Sequence, residues 1–171
     1  GKRRIEEVWP RDLIAGQRED WMQIKLRNGA VWQVVGSDNF NSLMGSPPYG
    51  LVFSDWALGN PLAWDYIRPI LAENGGWAIF PYTPRGNNHG FELFEQAKRA
   101  PGWFCQRLTI EDTHALPLSV IEGERLAGMT EDLIRQEYYC SFSAPNTGSY
   151  YGAPMNDAEV EGRIAKVKPD G

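Results

Sequence analysis

The 171 residues include only two cysteines and two histidines, and no apolar run long enough to cross a bilayer. Cys105 and Cys140 stand far apart, in neither a CxxC motif nor a Cys/His cluster. That spacing excludes a structural zinc and predicts two buried free thiols. His89 precedes an apolar stretch, where it serves as a hydrogen-bonding or capping residue, and His114 sits in a Glu/Asp/Thr loop. Two isolated histidines make no metal site, and none is assigned. The net charge of -5 removes any general attraction for nucleic acid or anionic membrane, although a local patch can still contact phosphate. Lys2-Arg3-Arg4 is a basic cluster of the kind found at solvated termini. No signal-peptide pattern opens the chain. The expectation is a soluble, intracellular protein, long enough for one globular domain and a small appendage.

Hydrophobic runs and turn residues supply the organisation. Arg27-Asn28-Gly29 between Ile24–Leu26 and Ala30–Val35 predicts a hairpin, its second arm largely buried. From Gly1 the chain enters directly into a charged, helix-like segment. After a Gly/Pro/Ser loop, Leu51-Val52-Phe53 reads as a short buried strand. Pro61 to Leu71 follows as a helix capped by Asn60, with Leu62, Tyr66 and Ile70 on its apolar face and Pro69 as a stop or kink. Trp77-Ala78-Ile79-Phe80 is a second strand, Phe91 to Arg99 a second helix, and Trp103 to Ile110 a third strand. Trp32, Trp64 and Trp77 are expected in core packing. Leu118 to Ala127 and Thr130 to Tyr139 read as two further helices. A small-residue linker from Ser143 to Gly152 leads to a short helical stretch, Asp157 to Gly162, and a strand from Arg163 to Val167. The chain starts at Gly1 without a Met and closes on Lys168-Pro169-Asp170-Gly171, so both ends look like cuts through a longer protein.

Strand–helix–strand–helix–strand order implies parallel pairing in an α/β layer architecture. Ligands in such sheets sit outside the carboxyl ends of the strands. Two polar motifs fall there: Ser54-Asp55 after the first strand, and Thr83-Pro84-Arg85-Gly86-Asn87-Asn88-His89 after the second. Alone, each is an ordinary acidic or Pro/Gly turn. Together they should share one crevice.

At Leu51 to Ala57, Asn60-Pro61-Leu62-Ala63-Trp64 and Thr83 to His89, the chain resembles the large terminase subunit of tailed bacteriophages, the ATP-driven motor that packages viral DNA. Asn28-Gly29, Gly36 to Asn39 and Leu43-Met44-Gly45-Ser46 resemble the family's approach to its acidic strand. Glu137 to Phe142, Tyr150-Tyr151-Gly152 and Gly162-Arg163-Ile164 resemble the exit from its ATPase region. The resemblance implies a partial P-loop NTPase of the ASCE type, a parallel sheet flanked by helices, with a small helical lid-like subdomain. It places the C-terminal half of the ATPase core in residues 1–110, the lid-like helices in 111–142, and a linker towards a missing nuclease domain in 143–171. The sequence contains no G-x-x-x-x-G-K-[ST], so the phosphate-cradling loop is absent.

By that resemblance Asp55 takes the position of the water-orienting Glu, and Ser54 that of the magnesium-supporting Asp. Both depart from the family pattern. Ser54 brings no charge to the ion, and Asp55 is one methylene short, setting its carboxylate back by roughly 1 to 1.5 Å. In the other assignment Asp55 is the magnesium ligand and the water is oriented from elsewhere. Thr83, Arg85, Gly86 and Asn88 fall in the family's ATP-coupling motif. The implied cofactors are ATP and Mg2+ in the complete protein, with none held tightly by this piece, which is expected to be inactive alone. The implied partners are double-stranded viral DNA, the portal protein, the small terminase subunit and further copies in a ring, without a membrane. The implied location is the host bacterial cytoplasm and, transiently, the procapsid portal. A fragment of another P-loop DNA motor or helicase, and a degenerate prophage remnant with at most a binding role, are the competing readings.

Overall fold

The computed structural model describes residues 8–43, 47–143, 154–155, 157–158 and 161–163. The chain forms two compact units: Gly1–Gly50 with Asn60–Trp77, and Leu51–Gly59 with Ala78–Gly171.

The first unit opens with an antiparallel sheet, β1 (Ile14–Arg18), β2 (Gln23–Leu26) and β3 (Val31–Gln33), in that order. The hairpin between β2 and β3 turns at Asn28-Gly29, where Gly29 takes φ 88 and the Asn28 side chain accepts from Ala30 N. The charged, helix-like segment expected directly after Gly1 lies almost wholly outside the described residues, and β1 follows it. Pairing to β2, interrupted by a bulge between Ile14 and Gly16, draws β1 into the sheet. The second hairpin arm is not largely buried. Ile24, paired with Trp32, is the buried residue of these strands, and Val31 remains 55% exposed.

Helix α1 (Pro61–Asn74) starts where Asn60 accepts from Leu62 N and ends at Gly75 in the left-handed region. Pro69 does not stop it. Proline's fixed φ suits a helix, and its missing N–H removes only one bond of the ladder. The buried face is Ala63, Ile67 and Leu71, one position on from the predicted stripe; Leu62 and Tyr66 are exposed, and Tyr66 stacks on Phe40.

Helix α1 links two parallel strands, β4 (Gly50–Val52) and β5 (Trp77–Ile79). Trp77 N donates to Tyr49 O and Phe53 N to Ile79 O, so both strands run in the same direction. Neither is deeply buried: Val52, Trp77 and Ile79 are about half exposed. The expected burial of the first strand, and of Trp77, fails because a two-stranded ribbon screens little of its own surface.

Helix α2 (His89–Ala97) follows β5 and buries Gly90, Leu93 and Ala97. The predicted strand from Trp103 to Ile110 does not form: residues 103–109 carry no regular structure. Gly102 turns the chain at φ 83, and a Thr109/Asp112 capping box starts the short helix α3 (Ile110–Thr113) where the strand was expected to end. Helices α4 (Ser119–Leu126) and α5 (Glu131–Glu137) match expectation, the latter capped by Thr130. Ile110, Ile121 and Ile134, one from each of these three helices, form a small core with Met129, Tyr138 and Tyr139 against it. The cysteines are free thiols, but half-buried rather than buried. Residues 157–158 are helical, as expected; the strand predicted over 163–167 and most of the linker lie outside the described residues.

Candidate functional site

Both polar motifs lie in the second unit, at the carboxyl ends of β4 and β5. Behind them is an aromatic cluster. Phe53 and Phe80, one residue past each strand, stack with centroids 4.8 Å apart, and Trp56 meets both edge-on at 5.2 Å. Trp103 also stacks on Phe80, with centroids 6.0 Å apart. Trp56 is 3% exposed, and its indole N–H finds no hydrogen-bond partner among the described residues.

Asp55 heads the 3-10 turn Trp56–Leu58 with φ 51 and ψ 46, a left-handed conformation uncommon for a residue with a Cβ. An aspartate in this position normally caps the turn it precedes. Asp55 makes no such bond; its carboxylate is exposed and accepts from Ser54 Oγ at 3.3 Å. The acid is thereby left facing outwards at the strand end.

The second motif turns back towards this acid. Gly86 is buried with φ 64, a geometry that favours glycine. Asn88 caps helix α2 by accepting from Gly90 N at 2.9 Å, and its amide nitrogen donates to Ala57 O at 2.8 Å. His89 Nε2 lies 2.7 Å from Trp56 O; a carbonyl only accepts, so this nitrogen carries the proton. The histidine ring also stands edge-on to Trp56 at 4.9 Å. Close approach is possible because Gly90 lacks a Cβ: one placed there would lie 3.3 Å from the Ala57 methyl and 3.0 Å from the Tyr82 ring. Tyr82 in turn donates to Gly90 O at 2.6 Å. Its hydroxyl pKa is pushed up to about 12, first by burial and then by the nearby Cys105.

The sequence-selected residues thus divide. Ser54 bonds Asp55, and Asn88 bonds Ala57 in the turn that Asp55 heads. Thr83 is half-buried beside the start of the loop. Arg85 forms an ion pair with Glu137 at the end of α5, and Gln136, 3% exposed, donates to the same carboxylate oxygen at 3.1 Å. Sequence reading did not select Glu137, Gln136, Trp56 or Tyr82. No local pattern marks them: Tyr82, Trp56 and Glu137 bond to partners 8, 33 and 52 residues away, and Gln136 acts through Glu137 beside it.

Among the described residues, no group of three His, Cys, Asp or Glu side chains is arranged to hold a metal ion. A single exposed carboxylate beside a hydroxyl does suit magnesium, which keeps several waters and shares its remaining positions with substrate phosphates. The phosphates are less well served. Arg85, the cation of the second motif, is already neutralised by Glu137.

A βαβ unit whose strand-end loops are joined by side-chain hydrogen bonds belongs to the α/β class that places ligands at the carboxyl edge of a parallel sheet. Among solved structures, the chain is similar to a mutant of the large terminase ATPase domain of Thermus phage P74-26, with a TM-score of 0.57 and 19% identity. The match covers 82% of this chain and 67% of that one. The chain therefore has a terminase-ATPase-like fold. No family model matches the sequence, and no curated protein matches it. No helix among the described residues is long and apolar enough to cross a membrane.

Proposed function

We propose that this chain is the second half of the ATPase region of a tailed-phage large terminase, contributing the acidic strand end and the ATP-coupling loop to a DNA-packaging motor. The bond from Asn88 to Ala57 O carries the reading, because it ties the coupling-motif loop to the turn that presents Asp55. The likeness in fold to a terminase ATPase domain supports it.

In this reading Asp55 orients the water that attacks the terminal phosphate, and Ser54 hydrogen-bonds a water of the magnesium shell. Magnesium, when bound, screens the phosphate charge and orients the phosphates. Thr83, Arg85, Gly86 and Asn88 form the loop that senses nucleotide state, and residues 111–142 serve as the lid. The cradle for the phosphates comes from a segment outside the 171 residues, so ATP and Mg2+ bind tightly only to the complete protein. Double-stranded DNA, the portal, the small terminase subunit and further copies in a ring are its partners, at the procapsid portal in the host cytoplasm.

Two measurements test this. The coding DNA upstream should encode a Gly-rich Lys-Ser/Thr loop within roughly a hundred residues. The protein of the complete reading frame should hydrolyse ATP, and Asp55→Ala should lower kcat about a hundredfold or more. Turnover equal in wild type and variant excludes Asp55 from the chemistry.

A further inference from the structure

We propose that Asn88 and His89 are positioning residues for Asp55, holding its turn from the neighbouring strand end so that the two motifs move as one piece. The catalytic part of this inference rests on the role assigned to Asp55 above; the mechanical part stands on geometry alone. Left-handed backbone at a non-glycine residue persists only where the surroundings over-determine it. Within its own turn Asp55 has one backbone bond, from Leu58 N to its carbonyl, and no side-chain cap bond. The hold comes from some thirty residues further on, as two adjacent side chains donate to two successive carbonyls: His89 to Trp56 O and Asn88 to Ala57 O.

Asn88 is committed at both ends. Its oxygen accepts from Gly90 N, which leaves its nitrogen to face Ala57 O. One residue therefore sets the start of α2 and the position of the acidic turn together. Beyond it, the Arg85–Glu137 pair fastens the same loop to the end of α5. A change at the Asp55 turn thus has a bonded route to that helix.

Asn88→Asp is the discriminating variant. It keeps the shape and the cap acceptor but turns the donor facing Ala57 O into an acceptor. His89→Ala removes the second donor, and His89→Gln restores one. The turn's own amides, Leu58 N bonded to Asp55 O and Gly59 N bonded to Trp56 O, report on the hold by hydrogen exchange in the 171-residue chain. Asn88→Asp and His89→Ala should speed their exchange about tenfold or more, with α2 unchanged in Asn88→Asp and His89→Gln near wild type. In the protein of the complete reading frame, both variants should lower kcat roughly ten- to hundredfold with KM for ATP nearly constant. Neither should cause a further loss when combined with Asp55→Ala. Unchanged exchange at Leu58 and Gly59 overturns the hold. Losses confined to KM, or multiplying with that of Asp55→Ala, overturn the positioning role. If the wild-type protein has no Asp55-dependent turnover, the proposed function falls, and exchange alone decides whether the hold exists.

Discussion

Asp55 shows how little of a residue's behaviour is local. Its acidity and its place after an apolar run mark it in the sequence, but an acid before a turn is expected to cap that turn. In the structure it does not; the carboxylate stays exposed beside Ser54, and the turn is held from Asn88 and His89. Tyr82 is the opposite case, inconspicuous in sequence and tightly placed in the fold. Its hydroxyl donates to Gly90 O, and burial, then Cys105, raises its pKa to about 12. The sign of the consequence follows from linkage. Below pH 10 the group is neutral in both folded and unfolded chains. Between pH 10 and about 12 the unfolded chain ionises it and the folded chain does not, so stability falls as pH rises through that window. Tyr82→Phe should therefore lose less stability than wild type between pH 8 and pH 11, measured by denaturant unfolding followed by circular dichroism. At neutral pH the lost hydrogen bond should cost about 0.5–1.5 kcal/mol.

Among the elements, those with local signals formed as read. The Asn28-Gly29 hairpin, the Asn60-capped helix and the Thr130-capped helix each depend on residues within four positions of one another. Elements whose identity depends on distant partners did not. Residues 103–109, although apolar, formed no strand, and the capping box beyond them began a helix instead. Asp112 anchors that start. It accepts from Thr109 N and Thr109 Oγ1 at 2.8 and 2.7 Å, and these bonds, the backbone one first, hold its carboxyl below the usual carboxylate range. A lowered folded pKa favours the folded state above the unfolded value of about 4, and the benefit is lost as pH falls through the folded value. Asp112→Asn should therefore destabilise the chain at pH 7 but differ little from wild type at the acid end of an equilibrium unfolding series. Equal differences at both pH values contradict this account of the cap.

On the scale of the whole chain, a small parallel βαβ unit sets two motifs at adjacent strand ends, while the helices that follow close a separate core of three isoleucines. Arg85 spans from the first group to the second, and its pairing with Glu137 leaves the motif without a free cation for phosphate. We therefore expect the purified 171-residue chain to show no ATP hydrolysis above a no-protein control. Measurable turnover that Asp55→Ala abolishes would mean the chain binds phosphate by a route not described above.

The sequence by itself determined the α/β class and set polar motifs at the ends of the two parallel strands. Hydrophobic run lengths, capping residues and Asn-Gly turns act over a few residues and made strand, helix and strand legible, with polar motifs after each strand. The tertiary structure alone decided which side chains those motifs engage. Asn88 to Ala57, His89 to Trp56 and Arg85 to Glu137 join residues 31, 33 and 52 positions apart. Side-chain hydrogen bonds and ion pairs act over a few ångströms, so only the folded path of the chain can choose such partners.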